Sequence, residues 1–190
     1  MFLYHTGFDI IKEPDVHYGR KNADFGQGFY LTADEAFAHR WARARRDEQP
    51  VVNTYELDTT DLIVHRFERD ADWFSYIFRN RNGKADDLTA DVIVGPIAND
   101  TIYNTFGILT SGFLKQEEAL KLLLIGPEYQ QIALKTEKAA KQLRWLSGKV
   151  LSSAEVAGYR AITVAEEAEY QRLFGEELEK MEADAASAEK

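Results

Sequence analysis

Asp24 to Thr32, Asp-Phe-Gly-Gln-Gly-Phe-Tyr-Leu-Thr, is the stretch that most constrains how this chain can fold. Gly26 and Gly28 stand one residue apart, and glycine reaches positive φ, or lets a backbone approach another group closely, without a Cβ penalty. Phe29, Tyr30 and Leu31 follow at once and favour an extended conformation, so the pattern predicts a bend that feeds a strand. Thr32 with Glu35 three residues on predicts a capping box. Phe37, Ala38, Trp41 and Ala42 recur behind it at helical spacing, which predicts a helix from about Ala33 to Arg46. On spacing alone the two glycines have two readings: a bulge or tight corner of a sheet, or a place where the backbone comes close to a ligand.

A chain of 190 residues, 45% hydrophobic and 12% aromatic, is expected to bury one substantial core. No apolar run of about eighteen residues occurs, and the first residues show neither a basic region nor an apolar signal core. Neither a membrane span nor a secretion signal is expected, which points to a cytoplasmic protein. Zero cysteines exclude a disulfide framework, a zinc-thiolate site and a cysteine nucleophile. The net charge of -9 argues against broad electrostatic binding to nucleic acid or anionic lipid, which rests on clustered Lys and Arg. Nine acids and three bases lie between Glu166 and Lys190, so the remainder is near neutral. Its N-terminal part carries His17, Arg20, Lys21, Arg40, Arg43, Arg45 and Arg46, a basic character that suits either an anionic ligand or a solvated helix face.

In chain order, Phe2-Leu3-Tyr4-His5 reads as a first strand closed by Thr6-Gly7, with a second extended piece around Ile10 and Ile11 that stops near Pro14. Val51 to Leu57 reads as a strand, and Leu62-Ile63-Val64 extends the sheet. Ala71 to Arg81 places Trp73, Phe74, Ile77 and Phe78 on one helical face, and Asn80-Arg81-Asn82-Gly83 ends that helix. Asp91 to Pro96 is a continuous apolar run of the kind that fills a buried central strand. The polar Asn99 and Asp100 just beyond it either face a cleft or cap a helix over Thr101 to Leu114. A further helix is expected over Gln116 to Leu124, a strand over Glu128 to Lys135, a helix capped by Thr136, and a closing strand over Leu143 to Leu146. Beyond Gly148 the composition turns to Ala, Glu and Lys. An α+β domain over residues 1–148 is therefore expected to carry an acidic helical extension over 149–190. Its amphipathic helix, Val164 to Met181, is expected to pack through Val164, Tyr170, Leu173, Phe174, Leu178 and Met181.

Gly-Gln-Gly-Phe-Tyr-Leu-Thr resembles the second-strand motif of the ADP-ribosyltransferase superfamily. There a glycine-lysine-glycine-isoleucine-tyrosine-phenylalanine segment lines the nicotinamide pocket of the poly(ADP-ribose) polymerases. Tyr4-His5 resembles the superfamily's first strand, which ends in a histidine that contacts the adenine-side ribose of NAD; Thr6 stands where a glycine is common, with Gly7 one place later. Trp41 lies eleven residues after Tyr30, the separation at which the polymerases place a second stacking tyrosine. Gln131 matches the position of a glutamate that bonds the ribose hydroxyl in many members. The stretch from Leu3 to about Trp145 is also similar to a bacterial family of unknown function with that predicted fold. Its members share the tyrosine-histidine start, a phenylalanine-glycine-x-glycine-phenylalanine-tyrosine-leucine-threonine centre, and a glutamine-led strand before a capped helix.

What the resemblance implies is an ADP-ribosyltransferase-like split, mostly antiparallel sheet with flanking helices. The implied activity is NAD-dependent mono-ADP-ribosylation of a macromolecular acceptor, with NAD as substrate and no metal, in a toxin-type effector restrained by an antitoxin or inhibitor protein. His5, Tyr30 and Gln131 are the implied catalytic residues, and His5, Thr6, Gly28, Phe29, Tyr30, Trp41, Asn99 and Asp100 the implied NAD contacts. An aromatic face attracts the flat, cationic nicotinamide by stacking and through its quadrupole. Breaking the ribose–nicotinamide bond passes through an oxocarbenium-like state that the site must hold and stabilise. Glutamine can orient a hydroxyl but carries no charge, which leaves Glu128 and Glu137 as further carboxylate candidates. Two other readings stay open. An RNA 2'-phosphotransferase would need bases around a phosphate, for which Arg20, Lys21 and Arg40 are the candidates, and a catalytically silent NAD- or protein-binding module would suit Gln131 and the displaced Gly7.

Overall fold

A computed structural model describes residues 1–42, 48–84, 87–98 and 116–188. Arg43, Arg45, Arg46, Asn99, Asp100 and the helix expected over Thr101 to Leu114 lie outside the described residues. Two sheets carry the described fold. The first is antiparallel throughout: β3 (Val51–Leu57) runs between β1 (Phe2–Gly7) and β7 (Leu143–Val150). The second is mixed. It runs in the order β2 (Phe29–Leu31), β6 (Gln130–Leu134), β5 (Val92–Pro96), β4 (Val64–Arg66), with only the β4–β5 pair parallel.

The sheets meet where Tyr4 and Thr32 exchange two backbone hydrogen bonds of 2.8 and 2.9 Å. Alternation along the strands then decides what each face buries. Val92 and Val94 of β5 and Ile132 and Leu134 of β6 join Leu3, Tyr55, Leu57 and Leu143 of the first sheet in one shared core. Ile93 and Ala133 point the other way, against Trp73, Phe74 and Ile77 of α2 (Ala71–Arg81) and Leu123 of α3 (Gln116–Leu123). The continuous apolar run of β5 is thus explained by burial on both faces, with strands on both sides of it.

Several local expectations are corrected. The helix after β2 is α1 (Glu35–Arg40), and its cap is Asp34, whose side chain accepts from the Phe37 N–H at 2.9 Å. Thr32 is already engaged, because its hydroxyl donates to the Gln130 carbonyl. Ile10 and Ile11 form no strand: Asn53 and Tyr55 of β3 bond the backbone of Asp9 and Ile11 with their side chains and so replace a ladder. β7 continues four residues past Leu146, to Val150. The expected cap at Thr136, by contrast, is present: it closes the short α4 (Glu137–Lys141) by accepting from the Ala139 N–H.

The last helix, α5 (Ser153–Ala188), has 36 residues and so spans about 54 Å at 1.5 Å per residue. Val156 packs near Ala38 and Ala42 at one end, while Tyr170 and Phe174 close over Leu122 of α3 further along. Val164 is 56% exposed, contrary to expectation. It precedes Tyr170 by six residues, about 240° around a helix, and so falls away from the buried stripe.

Candidate functional site

Where β1 and β2 meet, a cavity of about 650 Å³ opens, within the size range of small-molecule and cofactor pockets. β1 contributes Tyr4, His5 and Thr6; β2 contributes Tyr30 and Leu31, followed by Thr32. Phe37, Ala38 and Trp41 come from α1 and its end, Gln131 from β6, Arg81 from the end of α2, and Arg20, Asn22, Ala23 and Asp24 from the loop before the glycine bend.

The bend is held by its own hydrogen bonds. Gly26 takes φ 71°, the left-handed region that glycine tolerates. The Tyr30 hydroxyl fastens this turn by donating to the Gly26 carbonyl at 2.7 Å and accepting from the Phe25 N–H at 2.9 Å. Gly28 has a different duty, since a Cβ there would lie 2.7 Å from the Leu134 carbonyl oxygen. Its bare backbone lets β2 approach β6, and it is not part of the cavity lining. Gln27 ties the preceding loop down by donating to the carbonyls of His17 and Gly19.

His5 Nδ1 lies 2.7 Å from the Tyr30 carbonyl oxygen. A carbonyl only accepts, so Nδ1 carries the proton and the neutral ring keeps Nε2 as an acceptor. Burial holds the imidazole below its ordinary pKa, against a smaller opposing effect of that hydrogen bond. Phe29 lies under the ring, stacked at 4.6 Å, and meets Tyr55 edge-on at 5.9 Å. Phe29 is therefore a core residue that backs His5 rather than a lining residue. The Thr6 hydroxyl donates to the Ala38 carbonyl and fastens β1 to α1. Phe37 leans on Trp41 at 5.6 Å and stacks on Tyr129 at 4.4 Å, which braces the aromatic wall of the cavity.

Gln131 lines the same cavity and is 9% exposed. Its amide nitrogen donates to Asp24 Oδ2 at 3.0 Å and to the Pro96 carbonyl at 3.3 Å. Asp24 is itself buried, and Arg81 grips its Oδ1 through Nε at 2.8 Å and Nη2 at 2.7 Å. Asn80 donates to the Asp24 carbonyl, so the last turn of α2 holds both the side chain and the backbone of this residue.

The structure thus brings His5, Thr6, Tyr30, Trp41 and Gln131 to one cavity and leaves Gly28 and Phe29 behind its wall. Glu128 and Glu137 do not line it; Glu137 faces Lys141 and His17 at the surface. Of the three phosphate-binding candidates only Arg20 is a lining residue. Arg40 bonds Tyr129 and Glu166 instead. Sequence reasoning missed Asp24 and Arg81 as site residues. The signal for Asp24 was its place at the head of the glycine motif, whereas Arg81 was indistinguishable from any base at the end of a helix.

Among the described residues, no three His, Asp or Glu side chains are placed to share a metal ion, and no helix is long and apolar enough to cross a membrane. What the fold and cavity define is an α+β protein with a small-molecule-sized site at the junction of an antiparallel and a mixed sheet. The chain belongs to a family described as a protein of unknown function, DUF3990, whose profile matches residues 1–145. That span ends inside β7 and takes in every lining residue of the cavity, while α5 lies beyond it. Comparison with curated proteins found no match.

Proposed function

We propose that this protein is an NAD-dependent mono-ADP-ribosyltransferase of ADP-ribosyltransferase-like split-sheet fold, with the cavity as its NAD site and a macromolecule as acceptor. The observation that carries the reading is the convergence of His5, Tyr30, Trp41 and Gln131, from β1, β2, the end of α1 and β6, on a single cavity. In this reading the rings of Tyr30 and Trp41 flank the nicotinamide and His5 Nε2 accepts from a ribose hydroxyl. Gln131 Oε1 accepts from a hydroxyl of the nicotinamide-side ribose.

As the bond from the ribose carbon to nicotinamide breaks, its electron pair leaves with the nicotinamide, which departs neutral. Positive charge gathers on the ribose, and dipoles already aimed at it lower the barrier without reorganising. The acceptor's nucleophile then bonds the same carbon and its proton is lost to solvent. An inhibitor protein that covers the cavity mouth belongs to the same proposal. One specific observation, the neutral Gln131 at the position where the resemblance puts a glutamate, favours a second reading as a silent NAD-binding module.

The test is to titrate NAD by calorimetry and then incubate the protein with adenylate-labelled NAD and a bacterial lysate. Nicotinamide release with label on a macromolecule is the expected outcome. Binding without turnover selects the silent module, and absence of binding overturns the proposal.

A further inference from the structure

We propose that Asp24 is the positioning residue of this site: with Arg81 behind it, it locks the Gln131 amide so that Oε1, not Nε2, is offered to the ligand. The inference rests on the reading of the cavity as an NAD site and adds to it a means by which a glutamine can stand in for a carboxylate.

Hydrogen-bond directions alone fix the amide. Both groups that Nε2 meets, the Asp24 carboxylate and the Pro96 carbonyl, are acceptors only. The flipped rotamer would set Oε1 against two oxygens in a buried site, where unpaired polar atoms are costly. With both N–H bonds spent, Oε1 is the remaining polar atom of Gln131, and it meets no donor among the described residues. Asp24 keeps its orientation because Arg81 occupies Oδ1 from two nitrogens, leaving Oδ2 for Gln131. The arrangement offers a fixed acceptor to the cavity, with the Asp24 carboxylate beside it in the same lining and paired with the Arg81 guanidinium. This long-range assembly joins the glycine bend, α2 and β6, and it gives a buried carboxylate beside the lining glutamine a reason to be there.

The substitution Asp24→Asn would break the scheme in a defined way. Both partners of the Asp24 side chain are donors, and an asparagine offers one acceptor and one donor group, so it can satisfy Arg81 only by turning its amide nitrogen toward Gln131. Gln131 must then flip, which turns its nitrogen to the cavity. A glutamate at 131 returns an oxygen to the cavity, since its other oxygen accepts from the asparagine nitrogen, although that oxygen now meets the Pro96 carbonyl without a donor between them.

The experiment measures kcat and KM for NAD consumption in full-length wild type, Asp24→Asn, Gln131→Glu and the double variant. The expected result is a fall in kcat on the order of 10- to 100-fold for Asp24→Asn with KM little changed. Gln131→Glu alone sets two carboxylates against each other and loses activity, whereas the double variant, which removes that repulsion but not the contact with the Pro96 carbonyl, recovers part of the wild-type kcat. A structural role for Asp24 would not produce that exchange of losses for recovery. Wild-type kcat in Asp24→Asn, or a folded double variant no better than the single ones, overturns the inference while leaving the NAD site standing. No NAD binding by the wild type removes the reading of the site, and the inference with it. Should Asp24→Asn fail to fold, wild-type NMR decides: two distinct, exchange-protected Gln131 side-chain amide protons are expected, and freely exchanging ones overturn the lock.

Discussion

His5 and Tyr30 are joined by one hydrogen bond yet depend on the fold in different ways. The His5 imidazole is held below its ordinary pKa by burial, so the unfolded chain binds the proton first as pH falls. Its contribution to stability is complete above the ordinary histidine pKa of about 6.5 and is lost as pH falls through the lower folded value. His5→Asn keeps a donor for the Tyr30 carbonyl but does not titrate. The expected outcome is a shallower decline of Tm with acidification for His5→Asn than for wild type, read from melting curves between about pH 7 and 5. Identical slopes would mean that His5 is not the titrating group. Tyr30 is committed through its hydroxyl to the Phe25 N–H and the Gly26 carbonyl. Tyr30→Phe leaves both unpaired, at a cost of about 1 to 3 kcal/mol, while retaining the ring face for a ligand. Tyr30→Ala removes the ring too, and with it, in the proposed NAD site, about 0.5 to 1.5 kcal/mol of stacking on the nicotinamide, several-fold in affinity. Calorimetry on the two folded variants separates them: the phenylalanine protein is expected to melt lower yet bind NAD nearly as wild type does. Equal affinity for the alanine protein would take Tyr30 out of the site.

At the scale of elements, what was legible in the sequence is what local rules decide. α2 begins and ends where its apolar spacing and the Asn82-Gly83 stop place it, β5 follows its unbroken apolar run, and Thr136 caps α4. The strands that line the cavity were legible for the same reason, because His5, Tyr30 and Gln131 sit on short runs with strong strand character. What escaped is set by partners far along the chain. Asp24 and Arg81 are 57 residues apart, and no local pattern distinguishes a base that ends a helix from one that grips a buried carboxylate. The Ile10–Ile11 segment failed as a strand because side chains of β3 meet its backbone needs. In α5 the expected stripe is borne out at Tyr170, Phe174, Leu178 and Met181, which pack with Leu122 of α3, while Val164 falls off it. The phase of that stripe is testable. Phe174 is 4% exposed in the cluster with Leu122 and Tyr170, whereas Val164 is 56% exposed. Phe174→Ala is expected to cost about 3 to 5 kcal/mol, and Val164→Ala to stay within about 0.5 kcal/mol. Chemical denaturation of both variants measures the difference, and equal costs would place the helix in another rotation.

At the scale of the whole molecule, the two sheets share one core, with Leu3, Tyr55 and Leu57 from one packed against Val92, Ile132 and Leu134 from the other. Neither sheet buries its inner face without its partner, so the body is expected to melt in one cooperative step. The cavity draws its lining from both sheets, from α1 and from the end of α2, so a ligand seated there holds all of these elements in the native state at once. If the cavity is the proposed NAD site, NAD at a hundred times its Kd adds about 2.7 kcal/mol by mass action. For a chain of 190 residues that corresponds to a rise in Tm of roughly 5 to 10 °C. Differential scanning calorimetry at stepped NAD concentrations is the measurement, with the single transition moving upward as a unit and its shift growing with the logarithm of concentration. A split transition in which only part of the heat moves would mean that NAD grips one sheet and not the junction. No movement at saturating NAD would remove the nucleotide from the cavity altogether.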